Sequence, residues 1–392
     1  MNSKLENGVL TIYPEGRVDT NNANQVQEEL NNILEANEYT ELVINMDRLD
    51  YISSAGLRVI LKLKKNNDNL KLTEVIPEVY EVLETTGFTE MMDIEKGYRH
   101  FSSEGWEKIG EGANGIVYRT DPETVVKYFK NSNALPEIER ERKLAREAFV
   151  HGIPTAIPYD VIKVDDSYGT VYELLNAKSL SKILHADSSD GSINYCVSIF
   201  VDLLKQIHAT EVYADFIPNQ NKIGIGWVEF LKEYLPEDTW NKLYNLVSVL
   251  PECNTMLHGD YHIKNVMIQD DEALLIDMDT ISYGSIIYEF GSVYNAFKGF
   301  GEVDENQSRT FLGIEPYVAG RFFEKTVAAY FDKDDEAELA VKKDKMRLIG
   351  CVRLMRRSIR RNALDTDEGR AVVEHYRNAI IELTEKVNDL NI

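Results

Sequence analysis

The sequence predicts a small α/β domain followed by a larger, two-lobed α+β domain. Three observations point there. Strand and helix signals alternate through the first hundred of the 392 residues, the pattern of a small sheet with packed helices. A short run of small and polar residues, Ser102 to Gly105, then interrupts the alternation. Beyond it, a strand-rich stretch with a glycine-rich turn gives way to a long, mostly helical remainder. At about 150 residues per domain the length allows two to three domains. A boundary near Ser102 makes them two, 1–101 and 102–392, the second with a smaller lobe over about 104–175 and a larger one over about 176–392.

Val9 to Tyr13 is a β-prone run that stops at a Pro14–Gly16 turn. Asn22 to Glu35 carries Val26, Leu30, Ile33 and Leu34 at helical spacing, and Leu42 to Met46 is a short buried-strand run. Asp47 to Ile52 reads as a strand end and a turn leading into a second helix, Ser54 to Lys65, with Leu57, Ile60 and Leu61 inward and lysines outward. Leu70 to Val75 is again a strand. Pro77 opens a third helix at the first helical position, and Gly87 closes it just past the last turn. In the second domain, Trp106 to Phe129 is strand-rich, Glu137 to His151 is a charged helix, and Thr170 to Leu175 is β-prone. Helical patterns dominate from Ser192 onward. One hairpin interrupts them: Val266–Ile268 and Ala273–Ile276 flank an Asp270–Asp271 turn. A β-rich lobe before a helical lobe places a ligand in the cleft between them.

Composition narrows the function. Hydrophobic residues make up 43% and charged residues 28%, which is globular and excludes global disorder. Forty-three basic and 66 acidic residues give a net charge of −23, which argues against a nucleic-acid partner and a polybasic membrane anchor. A nucleotide needs only a local positive cluster and stays possible. Cys196, Cys253 and Cys351 are odd in number and widely spaced, the pattern of free thiols in a reducing cytosol. No apolar leader or membrane-length apolar run is found, so a cytoplasmic protein is expected.

Residues Gly110-Glu-Gly112-Ala-Asn-Gly115-Ile-Val117 read G-x-G-x-x-G-x-V. Glycines at these positions let a backbone hairpin approach phosphates closely. A dinucleotide-binding turn shows a similar string but passes directly into a helix; here Ile116-Val-Tyr continues as a strand. A kinase-type loop instead needs a lysine on a nearby apolar strand, and Lys127 in Val125-Val-Lys-Tyr-Phe129 supplies it. That lysine needs an acid on the next helix. Glu141 is the candidate, with Glu137 and Glu147 as alternatives.

Leu257-His-Gly-Asp260-Tyr-His-Ile-Lys-Asn265 precedes Leu274-Leu-Ile-Asp277-Met-Asp279. Phosphoryl transfer asks for a carboxylate beside the acceptor hydroxyl to orient it and take its proton, which suits Asp260. It also asks for an amide and a second carboxylate to hold Mg²⁺, which suits Asn265 and Asp277.

These strings, in this order, resemble the protein-kinase-like superfamily on its aminoglycoside phosphotransferase and choline-kinase side, from about residue 104 to the end. The resemblance implies a protein-kinase-like fold, use of ATP and Mg²⁺, and phosphorylation of a hydroxyl on a small molecule or, in some branches, a protein. It implies Asp260 as catalytic base, Asn265 and Asp277 as metal ligands, and Lys127 as the phosphate-binding lysine. Tyr172-Glu173-Leu174-Leu175 resembles the hinge whose backbone meets adenine, so Glu173 and Leu175 join Gly110, Gly112, Gly115, Val117 and Glu141 as nucleotide-site candidates. His258 and His262 read as hydrogen-bonded supports of the loop. Asp279 reads either as a contact to a second metal or as a turn cap. His258-Gly-Asp lacks an adjacent arginine, and no D-F-G or A-P-E string occurs, which departs from phosphorylation-activated protein kinases and fits a small-molecule or atypical protein kinase. Acids in the helices after Ser285 would favour a cationic acceptor.

The first hundred residues resemble the STAS domain of bacterial anti-sigma-factor antagonists, through Gly16-Arg-Val-Asp19, Leu42-Val-Ile-Asn45, Ile52-Ser-Ser-Ala-Gly-Leu-Arg-Val59 and Pro77-Glu-Val-Tyr-Glu-Val-Leu-Glu-Thr-Thr-Gly-Phe88. Ser53 or Ser54 is a good helix N-cap. The resemblance implies a regulatory phosphorylation site at Ser54 and a protein partner; the residue before it, often aspartate in that family, is Ser53 here. Together the two resemblances imply either an ATP-dependent phosphotransferase regulated by a STAS module or a signalling switch in which the kinase-like domain phosphorylates Ser54.

Overall fold

The computed structural model describes residues 1–111 and 115–392. The chain forms two compact units, one of residues 1–120, 126–135 and 160–171, the other of 121–125, 136–159 and 172–392.

The first unit begins with strands β1 (Asn2–Glu6), β2 (Val9–Tyr13) and β3 (Glu15–Val18), helix α1 (Ala23–Glu35), strands β4 (Glu41–Asn45) and β5 (Arg48–Ile52), helix α2 (Ser54–Asn66), strand β6 (Leu70–Val75), helix α3 (Pro77–Thr85) and strand β7 (Asp93–Lys96). The main sheet runs β1-β2-β4-β6-β7, with β2, β4, β6 and β7 parallel. Alternation puts Leu10 and Ile12, Leu42 and Ile44, and Leu70 and Leu72 in the core, against Leu57, Ile60 and Leu63 of α2. Pro77 does start α3, and Gly87 does follow its C-cap, with φ +77°.

Two expectations change. The Pro14–Gly16 turn is instead a bulge, with Gly16 at φ +74°, that feeds β3. Residues 48–52 are no turn either, because β5 pairs in parallel with β3 as a separate two-stranded ribbon. Both strands are short and mostly solvent-facing, so their pairing carries little periodic signal.

A six-stranded sheet follows, in the order β8-β12-β13-β11-β10-β9: β8 (His100–Phe101), β9 (Glu107–Glu111), β10 (Gly115–Arg119), β11 (Thr124–Phe129), β12 (Pro158–Val164) and β13 (Ser167–Glu173). The residues just before the expected linker are therefore an edge strand, with Phe101 opposite Val164. Ser103 is likewise tied to Asp165 by its backbone N–H and hydroxyl. Helix α4 (Leu135–Val150) covers the expected charged segment.

The rest of the second unit is helical, with α5 (Leu180–Ala186), α6 (Asp190–His208), α7 (Gln220–Phe230), α8 (Glu237–Ser248), α9 (Ile287–Phe297), α10 (Pro316–Tyr330), α11 (Glu336–Arg360) and α12 (Asp367–Lys386). Their core is mainly aliphatic with large aromatics among it: Phe200, Tyr261, Phe290, Phe322 and Phe323 are essentially fully buried. A hairpin of Val266–Gln269 and Glu272–Leu275 interrupts them. Its Asp270 and Asp271 both have positive φ, +48° and +65°, the backbone of a tight primed turn, which aspartate tolerates. Cys196 and Cys351 are buried free thiols, and burial pushes the Cys196 thiol up to about 11.

Candidate active site

The loop from His258 to Asn265 lies in the second unit and is anchored by its own Tyr261. That ring is fully buried against Phe200, with centroids 4.3 Å apart, and its hydroxyl donates to the Phe200 carbonyl at 2.8 Å. With the aromatic neighbour locked in the core, Asp260 is left half-buried at the surface of the loop.

The backbone just before Asp260 is held by four side chains. The carboxylate of Glu289, completely buried on α9, accepts the N–H of His258 and that of Gly259 at 3.0 Å. The Gly259 carbonyl accepts from Arg353 Nη1 of α11 at 2.8 Å and from the Ser292 hydroxyl at 3.1 Å. The Thr280 hydroxyl donates to the His258 carbonyl at 2.7 Å. Gly259 itself has φ +83°, and a Cβ there would lie 2.5 Å from the Thr280 carbonyl oxygen, so glycine is required for two reasons. Burial pushes the Glu289 carboxyl up to about 7, opposed by the two N–H groups and by Arg353.

His258 is a hydrogen-bonded support, as expected, whereas His262 Nδ1 is buried with no hydrogen-bond partner among the described residues. His258 accepts the Asp260 N–H on Nδ1 at 3.3 Å and donates from Nε2 to the Ile276 carbonyl at 3.3 Å. Burial lowers its pKa, consistent with that neutral tautomer. His262 Nε2 lies 3.6 Å from Asp260 Oδ2. Burial would raise the Asp260 carboxyl, but His262, followed by the charge of Arg353, outweighs it and holds the group at about 2. Asp260 is therefore ionised near neutral pH.

Asn265 is buried, and its Nδ2 donates to the Asp260 carbonyl at 3.0 Å while its own carbonyl accepts the Ile276 N–H at 3.0 Å. The two expected functional positions and the strand leading to Asp277 are thus wired together. Asp277 sits exposed at φ +64°, a backbone conformation uncommon outside glycine, and begins the single turn Met278–Thr280 that contains Asp279. Among the described residues no group of three or more His, Cys, Asp or Glu forms a metal cluster. The residues that could hold Mg²⁺ are Asn265, through its amide oxygen, and Asp277, through its carboxylate; both offer hard oxygen ligands.

The other candidates are placed separately. In the first unit, Gly110 pairs with Val117 across β9 and β10, and Lys127 Nζ lies 5.5 Å from the Phe129 ring. Gly115 has a packing reason to be glycine, since a Cβ there would be 2.4 Å from the Tyr128 carbonyl oxygen. Gly112 lies outside the described residues. In the second unit, Glu141 is buried and accepts the Tyr172 hydroxyl at 3.1 Å, whereas Glu137 is exposed and Glu147 lies 3.6 Å from His151. Glu173 and Leu175 are half-buried, and Leu174 between them donates its N–H to the Glu123 carbonyl at 2.7 Å. Ser53, not Ser54, caps α2, accepting the Ala55 N–H at 3.2 Å, and Ser54 is exposed at the first helical position.

Glu289, Ser292, Thr280 and Arg353 escaped the sequence reading. A glutamate within the apolar string Ser285-Ile-Ile-Tyr-Glu289-Phe was the available signal for the first; Arg353 stands among several arginines with nothing to single it out.

A model of the phosphotransferase enzyme family matches residues 105–323, and a STAS domain model matches residues 1–103. The putative anti-sigma factor antagonist BtrV of Bordetella bronchiseptica is 38% identical over 91 residues, 22% of this chain and 78% of that protein. Among solved structures, the gentamicin complex of APH(2")-IIa is 13% identical with a TM-score of 0.46, covering 78% of this chain and 97% of that one. A choline/ethanolamine kinase family protein from Mesorhizobium loti is 17% identical with a TM-score of 0.46, covering 72% of this chain and 89% of that one.

Proposed function

Since the chain belongs to the phosphotransferase enzyme family and carries a STAS domain, we propose that it moves the γ-phosphoryl group of ATP to a hydroxyl acceptor under control of that domain. The proposed division is 1–101 for the STAS domain and 102–392 for the kinase-like domain. Asp260 orients the acceptor hydroxyl and takes its proton. The acceptor oxygen bonds to the γ-phosphorus as the bond from that phosphorus to the bridging oxygen breaks, the electron pair leaving on ADP. Asn265 and Asp277 would hold Mg²⁺, which when bound offsets phosphate charge. Lys127, with Glu141 as its proposed acid, would meet the phosphates; Gly110, Gly112, Gly115 and Val117 would cover them, and the backbone at Glu173 and Leu175 would meet adenine. Asp279 is proposed as a further metal contact.

The observation that carries this reading is the Asn265 Nδ2 to Asp260 carbonyl bond of 3.0 Å, because it couples the base to the metal ligand within one rigid loop. ATP turnover measured against an acceptor panel tests it. A chain of charge −23 with Asp260, Asp277 and Asp279 in one site repels a nucleotide unless a cation intervenes. Tight ATP binding in EDTA would contradict the metal assignment.

A second reading, phosphorylation of Ser54 by the kinase-like domain, is favoured by the exposure of that hydroxyl and its freedom from capping. Incubation with Mg-ATP followed by mass spectrometry tests it, and an unmodified Ser54 in a protein that turns over ATP rejects it.

A further inference from the structure

The basic residues of α11 divide into two groups. In its first half Lys343 meets Glu324 at 2.8 Å, Lys345 meets Asp389 at 2.6 Å and Arg347 meets Glu302 at 2.9 Å. From there to the end of the helix the pattern stops. Arg353, Arg356, Arg357, Arg360 and the following Arg361 have, among the described residues, no carboxylate within 4.0 Å. Five arginines in nine residues stand without acid partners in a chain that has 66 acids.

Their position gives this meaning. Arg353 touches the Gly259 carbonyl at 2.8 Å, next to Asp260. Arg357 and Arg360 follow at four and seven residues, on the same helical face. Aromatic rings frame the guanidinium groups: Trp227 lies 5.7 Å from Arg353, Phe230 5.7 Å from Arg356, and Phe300 5.2 Å from Arg357. Arg356 Nε is buried and has no hydrogen-bond partner among the described residues. Burial, then the neighbouring arginines, lowers the pKa of both Arg356 and Arg357, with Asp260 opposing at Arg357. Like charges three and four residues apart weaken a helix, and holding Gly259 needs only one of them. Of the acids after Ser285, which suggested a cationic acceptor, Glu289 is taken up by the His258 and Gly259 N–H groups.

Building on the phosphotransferase reading, we propose that the acceptor is a small hydroxyl compound that itself carries an anionic group, a phosphate or a carboxylate. Arg357 and Arg360 grip that group, with Arg356 beside them, while the hydroxyl meets Asp260. Guanidinium forks match both oxyanions with paired hydrogen bonds. The run spans about 13 Å of helix, and its first member abuts the base, so anion and reacting hydroxyl belong to one small molecule.

Two measurements on the full chain separate this inference from the reading beneath it. The first is calorimetric titration with inorganic phosphate, with and without saturating Mg-ADP. The Mg-ADP-loaded protein binds phosphate; Arg357→Gln with Arg360→Gln weakens binding about ten- to a hundredfold, and the two lysine replacements restore only part of it. No phosphate binding, or equal binding by the glutamine variant, overturns the inference. The second is ADP release with glycerol 3-phosphate and glycerate against choline and kanamycin. The anionic acceptors are used, and the glutamine variant raises their KM more than it lowers kcat. Use of choline or kanamycin alone overturns the inference and leaves the phosphotransferase reading intact. ADP release with no acceptor, while arginine-dependent phosphate binding persists, rejects the phosphotransferase reading and leaves the anion site standing.

Discussion

Glu289 accepts the Gly259 backbone N–H at 3.0 Å from a position with no solvent exposure. The loop that presents Asp260 is thus fastened by an acid whose own carboxyl is pushed up to about 7 by burial.

That shift makes folding stability depend on pH. A carboxyl raised in the folded state binds its proton more tightly there than in the unfolded chain, so its contribution is full below about 4.5 and declines as pH rises to about 7. The difference amounts to up to about 3 kcal/mol at about 1.4 kcal/mol per unit. Buried His208, lowered to about 3, adds stability over the same range, so the Glu289 contribution is read by difference: in thermal melts from about pH 4.5 to 7 the wild type loses stability relative to Glu289→Gln as pH rises.

The Asp260 carboxyl moves the other way, to about 2. The acid limb of kcat/KM therefore lies below pH 4 in the wild type. Replacing His262 by Ala removes the main opposing influence while Arg353 still acts, which shifts that limb upward by about one unit. A pH–rate profile of the two proteins reads the shift directly.

Two glycines of the nucleotide-loop string differ in kind. Gly115→Ala drives a Cβ to 2.4 Å from a backbone oxygen, while Gly110→Ala meets only Val117 at 3.7 Å. The first destabilises the protein by about 1–3 kcal/mol; the second stays within about 0.5 kcal/mol. Denaturant titration distinguishes them.

At the start of α2 the adjacent serines separate likewise. Ser53→Ala loses the cap to Ala55 and about 1 kcal/mol, whereas Ser54→Ala leaves stability within about 0.5 kcal/mol. Equal effects in thermal unfolding would reverse the assignment of the cap.

What was legible in the sequence was local. Asp270–Asp271, Pro77 and Gly87 announce turns and helix ends because their backbone preferences act within a few residues. The string proposed to carry catalysis stands out because its candidate groups are packed into two short segments. Pairing of β3 with β5 could not be read, since it joins short, exposed strands across about 30 residues. Nor could the clamp on Gly259, whose partners Glu289 and Arg353 stand 30 and 94 residues downstream. Ser53 and Ser54 are chemically equivalent as caps, and only the backbone geometry at Ser53, in extended conformation before α2, chooses between them.

The central claim is that Asp260 is the base, and kcat of Asp260→Ala, measured alongside Mg-ATP affinity, tests it most directly. Turnover will fall by about a hundred- to ten-thousandfold, while the Kd for Mg-ATP changes by less than about threefold. Unchanged turnover in a variant that still binds Mg-ATP would contradict the account.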